Sequence, residues 1–167
     1  RNEIDGVMML AMDITERNQA EENLRDSERR YRALFEAMPV AIWEEDFSDV
    51  KKRLDSLKEQ GVTDFRTYFE HNPEAFLACA TMIKVLDVNQ ATLKMCHADS
   101  KEDLYKSMDK GLNESEVEHI LDALIAISEG KVSHSWEGVD EIVTGEPIDI
   151  SLNWTVAPGY EADFSRV

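Results

Sequence analysis

The hydrophobic pattern predicts a long helix near the start of the chain, preceded by a strand. Residues 7–12 are all apolar, which is typical of a strand covered on both faces. Asp13 is suited to cap the following helix, and Glu16 three positions later completes a capping box. Along residues 16–38, one face repeats at alternating spacings of four and three, as the a and d positions of a coiled coil do. This seam consists of Ala20, Leu24, Ser27, Tyr31, Leu34 and Met38.

The seam leaves two arrangements of this helix open. It either packs on its own domain as an ordinary amphipathic helix or pairs with a second copy of the chain as a coiled coil. The pattern is weaker in its N-terminal half, so a break near Ser27 is compatible with either arrangement. It does not decide between parallel and antiparallel pairing.

Shorter elements follow Pro39, which stops the first helix. The patterns predict strands at residues 40–44 and 82–86, and helices at residues 49–60, 65–70, 73–80, 90–96, 101–105 and 114–129. Asn113 and Glu116 form a capping box for the last of these helices, and Gly130 ends it.

The clearest strand signal lies at residues 148–156. Five apolar residues alternate there with polar ones, which indicates one buried and one polar face: Ile148, Ile150, Leu152, Trp154 and Val156. A preceding strand at residues 132–143 and a turn at 144–147 complete a hairpin. Strands, mostly short helices and a hairpin in this order predict an α+β fold with an antiparallel sheet.

The charge of the chain narrows the range of partners. Thirty-five acidic against 18 basic residues give a net charge of −17, so nucleic acid and anionic membrane surfaces are not expected to bind. No apolar run is long enough to span a bilayer. The two cysteines, Cys79 and Cys96, have no CxxC spacing, which fits a reducing cytoplasm. Because the chain begins with Arg1 rather than Met, we expect it to be a fragment.

The candidate chemical residues give no catalytic or metal site. We expect His119 to be solvated, since it lies off the apolar stripe of its helix, and Cys96 to be a buried structural thiol. The acidic run at residues 44–46 reads as a solvated strand end. The sequence contains no zinc-ligand spacing, phosphate-binding loop or Ser/His/Asp arrangement. We therefore predict a chain that is not an enzyme and holds no cofactor.

Three segments resemble PAS sensor domains of bacterial signalling proteins. Residues 28–39, Glu-Arg-Arg-Tyr-Arg-Ala-Leu-Phe-Glu-Ala-Met-Pro, resemble the opening of such domains. Residues 85–95, Val-Leu-Asp-Val-Asn-Gln-Ala-Thr-Leu-Lys-Met, are similar to their second strand and the Asn-led helix after it. Asp13, Ile14 and Thr15 are similar to the motif that closes their last strand and marks a signalling junction.

The resemblance implies a five-stranded antiparallel sheet with helices on one face, preceded by a long N-terminal linker helix. It assigns residues 1–15 to the last strand of a preceding PAS domain, 16–38 to the linker and 39–167 to a PAS domain. Residues 49–80 depart from the family as a helical insert. The chain also ends at Val167, where the family's fifth, central strand begins.

The truncated last strand leaves three alternatives for the central position of the sheet. Residues 7–15 of a neighbouring molecule fill it by strand exchange, or the same residues fill it within one chain after a break near Ser27. In the third alternative, residues 161–167 supply a stub of a strand.

The resemblance implies a non-catalytic sensory and dimerisation module of a cytoplasmic signalling protein. Such a module forms a homodimer and relays signals through the linker helix to neighbouring PAS domains and to a histidine kinase or diguanylate cyclase output domain. The alternative is a sensor whose pocket holds a small molecule or cofactor. The candidate lining, which a plain hydrophobic core explains equally well, is Trp43, Ile83, Val85, Leu121, Leu124, Ile150, Leu152 and Trp154.

Overall fold

The computed structural model describes residues 12–108, 112, 114–141 and 146–167. The order of its elements is α1 (Thr15–Ala37), β1 (Trp43–Asp46), α2 (Ser48–Glu59), α3 (Phe65–His71), α4 (Pro73–Ala80), β2 (Lys84–Val88), α5 (Gln90–Met95), α6 (Lys101–Met108), α7 (Glu114–Ser128), β3 (Ser133–Glu141) and β4 (Pro147–Thr155). The mixed helix and strand composition confirms the α+β prediction. The predicted strand at residues 7–12, the cap Asn113 and the turn at 144–147 lie wholly or mostly outside the described residues.

The chain divides into two compact units, Arg1–Ala37 and Met38–Val167. In the first unit, the Thr15 backbone N–H donates to Asp13 Oδ1 at 2.9 Å. Asp13 therefore pairs with one of the N–H groups that the first turn of a helix leaves without an intrahelical acceptor. Further along α1, the rings of Tyr31 and Phe35 stack with centroids 5.8 Å apart.

A buried asparagine organises the start of the second unit. Asn89 is fully buried, and its Oδ1 accepts from the backbone N–H of Thr92 at 3.0 Å, which caps α5. The same oxygen accepts from the Ile42 N–H at 3.1 Å, and Nδ2 donates to the Val40 carbonyl at 2.9 Å. One side chain thus begins a helix and fixes the segment that enters β1, so its buried polar atoms are satisfied.

The described strands form two two-stranded antiparallel sheets. β1 pairs with β2 with an irregular register between Glu44 and Glu45, and β3 pairs with β4 without interruption from Ser133–Thr155 to Glu141–Pro147. The residues that the structure describes thus form two separate sheets rather than the single five-stranded sheet that the resemblance implies. The alternation of half-buried and exposed residues along β4 agrees with the prediction of one buried face.

The C-terminal residues are hydrogen-bonded to both sheets. Glu45 in β1 and Val167 exchange two backbone hydrogen bonds of 2.9 Å, and the Ala157 N–H, just after β4, donates to the Arg166 carbonyl at 2.9 Å. Phe164, which is almost fully buried, accepts from the Phe47 N–H at 2.8 Å. Residues 164–167 therefore connect β1 with the segment that follows β4, without forming a strand of their own.

The segment predicted as an insert contributes to the main core. Buried residues of α2, α3 and α4 pack in one cluster with α7 and β4; the cluster includes Val50, Leu54, Leu57, Phe65, Phe69, Phe76, Cys79, Ala123, Leu124, Ala126, Ile127, Trp154 and Phe164. A second, smaller cluster consists of Val88, Leu93, Cys96 and Leu104. The insert is thus a structural part of the unit, because its apolar faces are covered by α7 and the hairpin.

No described helix combines the length and the apolar character that a membrane span requires.

Candidate functional site

Seven of the eight candidate pocket residues are divided between the two clusters. Leu124 and Trp154 are buried in the main cluster, where Ile83, Leu121 and Leu152 pack against it. Trp43 and Val85 pack instead on the smaller cluster. Ile150 is half-buried and borders an open depression of about 450 Å³ on the hairpin.

The main cluster is filled by protein side chains. The rings of Phe47 and Trp154 meet edge to face with centroids 6.2 Å apart, and Leu124 has no exposed surface. A second depression, of about 330 Å³, lies between the start of α3 and the end of α7. Both depressions are outside the core that these aromatic residues form.

The inner face of the hairpin is defined here by the even-numbered residues of β3 and β4, which share one side because side chains alternate along a strand. On β3 this face carries His134, Trp136, Gly138 and Asp140, opposite Trp154, Leu152, Ile150 and Ile148 on β4. Two ionisable groups therefore lie on the side of the hairpin that contributes to the core.

His119 faces this surface from α7, so the expectation that it is solvated was wrong. Its ring lies 5.3 Å from the Trp136 ring between centroids, and its Nε2 is 3.9 Å from Asp140 Oδ2. The side chains of His119 and Asp140 are only 16% and 19% exposed. Burial lowers the pKa of His119, and the negative charge of Asp140 partly opposes that change.

A pattern in α7 indicates why His119 is covered. The buried positions of the helix include Ala123 and Ala126, which lie one and two turns after His119 on its side. The larger apolar residue Val117 is exposed. The buried stripe of α7 is thus rotated towards the small residues. The two alanines are the sequence feature that indicates the covered position of His119, and the large apolar residues alone do not reveal it.

Glu45 is a second ionisable group that the structure covers. It lies in β1 opposite Val85, and burial raises its pKa to about 7. The expectation that residues 44–46 form a solvated strand end is therefore wrong for Glu45. Its neighbour Glu44 does point to a charged partner, since Arg166 forms an ion pair with it.

The cysteines agree with their prediction. Cys79 and Cys96 are both buried and free. Burial raises the pKa of the Cys96 thiol to about 11, and the charge of Asp140 adds to the effect. A thiol with this pKa stays protonated near neutral pH and is a poor nucleophile, as expected for a structural cysteine.

The junction and seam residues belong to the N-terminal part of the chain. Two hydrogen bonds from Thr15 lower the pKa of Asp13, and Ile14 is exposed. Along the seam, Ala20 is also exposed. The large seam residues have high exposed fractions, namely Leu24 61%, Tyr31 54%, Leu34 66% and Met38 48%.

Part of this unit matches a known protein family. Residues 63–131 match the family model described as a PAS domain. The resemblance to PAS domains is thus confirmed for this segment. The match runs from the end of the loop before α3 to the loop after α7, so it includes Asn89 and its hydrogen bonds. It begins inside the segment predicted as an insert and does not extend to residues 28–39, whose resemblance to the opening of a PAS domain stays a prediction.

Neither a curated protein nor a solved structure matches the chain.

Proposed function

We propose that the chain is a non-catalytic PAS sensory and dimerisation module that relays signals through α1. The observation that carries this proposal is the exposed apolar seam of α1, at coiled-coil spacing, in a chain whose residues 63–131 match a PAS domain. Exposed apolar side chains in a repeating row favour burial against a second copy.

The proposal extends to the context of the module. The output would be a change in the geometry of α1, passed to neighbouring PAS domains and to a histidine kinase or diguanylate cyclase of a bacterial two-component system in the cytoplasm. The sheet of this module would be the five-stranded PAS sheet. Its support is that residues 164–167 are hydrogen-bonded both to β1 and to Ala157, just after β4.

The dimer is tested with two neighbouring substitutions of equal charge. Leu34→Glu places a carboxylate in the seam, while Ala33→Glu places it at the adjacent exposed position outside the seam. Each of the two copies in a homodimer loses one buried leucine, and each loss corresponds to roughly 1.5–3 kcal/mol, so Leu34→Glu should raise the dimer dissociation constant about 100-fold or more. Sedimentation velocity over a concentration series measures this constant.

Ala33→Glu should change the dissociation constant by less than about threefold. A wild-type chain that remains monomeric at about 100 μM, or equal effects of the two substitutions, would contradict dimerisation through the seam. Residues 7–15 are tested in the same series. If removal of residues 1–11 leaves the dimer intact, strand exchange does not hold it together.

One observation favours the ligand-binding sensor as a second candidate. Within the described residues, Trp154 Nε1 and His134 Nε2 are buried without a hydrogen-bond partner, and the two rings lie 6.1 Å apart across β3 and β4. Buried polar groups are normally paired, so an acceptor oxygen of a small molecule suits this position. A native mass spectrum of the purified chain should then show a stoichiometric added mass that Trp154→Phe removes, and its absence from the wild type would contradict this candidate.

A further inference from the structure

The contact between α7 and β3 combines three residues with different chemistry. His119 on α7 lies between Trp136 and Asp140. These two residues are four positions apart along β3 and share its inner face. The imidazole is against the indole ring at 5.3 Å between centroids, but its Nε2 remains 3.9 Å from Asp140 Oδ2. This distance is longer than a hydrogen bond.

Gly138 makes the position of Trp136 available. A Cβ at residue 138 would lie 2.4 Å from Cζ2 and Cη2 of the Trp136 ring, so the indole lies directly over the glycine. Any larger residue there would displace the ring, because protein interiors do not accommodate such an overlap. The glycine thus keeps the indole flat along β3, between its own strand and His119.

Asp140 is the charged group that acts on His119. Glu116 and Asp122 lie one turn before and after His119 on α7 itself, and Asp122 is paired with Arg66 of α3 at 2.5 Å. In the smaller cluster, the Cys96 thiol is close enough to Asp140 for the carboxylate charge to raise the pKa of the thiol. At the far end of α7, Lys58 of α2 donates to the Ser128 carbonyl.

The two protonation states of His119 favour different positions of the ring. The neutral imidazole gains from packing on the indole, and its attraction to a carboxylate is weaker than that of the imidazolium. The imidazolium forms a charge-assisted hydrogen bond, whose optimum length is about 2.7–2.9 Å. To reach that length the ring has to move about 1 Å towards Asp140, away from its present position over Trp136.

We propose that protonation of His119 draws its imidazole onto Asp140 and away from the indole of Trp136, which makes this contact between α7 and β3 a proton-sensitive switch. The switch goes beyond the proposed relay, because it lies wholly within the unit Met38–Val167 and does not depend on a dimer. The sign of its pH dependence follows from burial. Since burial lowers the pKa of His119 below the usual 6.5, the switch operates on the acidic side of pH 6.5.

The test uses the three tryptophans as separate reporters. The full chain is labelled with 5-fluorotryptophan, and ¹⁹F NMR resolves Trp43, Trp136 and Trp154, each assigned by its Trp→Phe variant. The Trp136 resonance should titrate with a midpoint below pH 6.5. In His119→Phe, which keeps an aromatic ring on the indole but does not ionise, the same resonance should be independent of pH. His71→Gln, at an exposed histidine of α3, should leave the titration unchanged.

Asp140→Asn supplies a second criterion that does not depend on the stability of His119→Phe. Removal of the nearby negative charge should lower the midpoint of the Trp136 titration by about one pH unit. A Trp136 resonance that does not change between pH 5 and 7, or that titrates equally in His119→Phe, would overturn the proposal. An unchanged or raised midpoint in Asp140→Asn would also overturn it.

Discussion

At the scale of single residues, the second unit covers ionisable side chains that a strand or helix pattern assigns to solvent. Glu45 and His119 are shifted in opposite directions, but by the same cause, because burial disfavours the charged form of each. The raised pKa of Glu45 means that the native state keeps a proton that the unfolded state releases. The lowered pKa of His119 means the reverse. Their contributions to stability therefore depend on pH with opposite signs.

Glu45→Gln should make the chain more stable at pH 8 and less dependent on pH. The native-state pKa is about 7 against 4.5 for an ordinary glutamate, so the wild type loses stability as the pH rises from about 4.5 to 7. The expected gain at pH 8 is about 1–2 kcal/mol, since partial exposure reduces the cost of the charge. Urea denaturation from pH 4.5 to 8 measures it. Glu59→Gln, at an exposed position, is the control, and an equal profile for both variants would refute the burial argument.

At the scale of elements, α2, α3 and α4 cover the apolar surfaces of α7 and the hairpin. Their buried residues belong to the same cluster as Leu124 and Trp154, and Arg66 of α3 is paired with Asp122 of α7. The aromatic rings of Phe65, Phe69 and Phe76 form successive contacts of about 6 Å between centroids. The segment between β1 and β2 is thus part of the interior of this unit.

Leu54→Ala and Leu77→Ala should differ in their cost to stability, because one residue lies on the buried face of this segment and the other on its exposed face. Leu54 is 1% exposed in α2, and its truncation should cost about 2–5 kcal/mol of unfolding free energy. Leu77 is 48% exposed in α4, and its truncation should cost less than about 0.5 kcal/mol. Chemical denaturation of both variants gives these values. A small cost for Leu54→Ala would show that the segment is only an appendage.

At the scale of the whole molecule, the net charge of −17 is the main source of long-range electrostatic free energy. Thirty-five acidic residues repel one another more strongly in the compact state than in the unfolded chain. The ion pairs recorded on the surface, such as Arg17–Glu21, are exposed and contribute little. Screening should therefore stabilise the fold more than it weakens these pairs.

Raising NaCl from about 10 mM to 0.3 M should increase the melting temperature by about 2–4 °C. The Debye length falls from roughly 30 Å to below 10 Å over this range, so repulsion between distant carboxylates is largely removed. Differential scanning fluorimetry measures the change, and KCl at equal ionic strength should give the same increase. A melting temperature that falls with salt would show that ion pairs, not repulsion, dominate.

The sequence by itself determined the elements with strong local signals. Asn89 marks the start of α5 because its side chain caps the helix, and the alternation from Ile148 to Val156 defines β4, whichever neighbours they have. The apolar seam of α1 also follows from spacing alone, although its exposure does not. The family match at residues 63–131 confirms the PAS resemblance of the segment that contains Asn89.

Only the tertiary structure decided which side chains are covered. His119 becomes half-buried because α7 turns its alanines towards the hairpin. Gly138 contributes as well, because its missing side chain leaves room for the Trp136 ring that His119 contacts. The division of the pocket candidates between two clusters likewise depends on where α2, α3 and α4 pack. Burial is a property of contacts between residues far apart in the chain, and local periodicity does not show which distant element covers a given side chain.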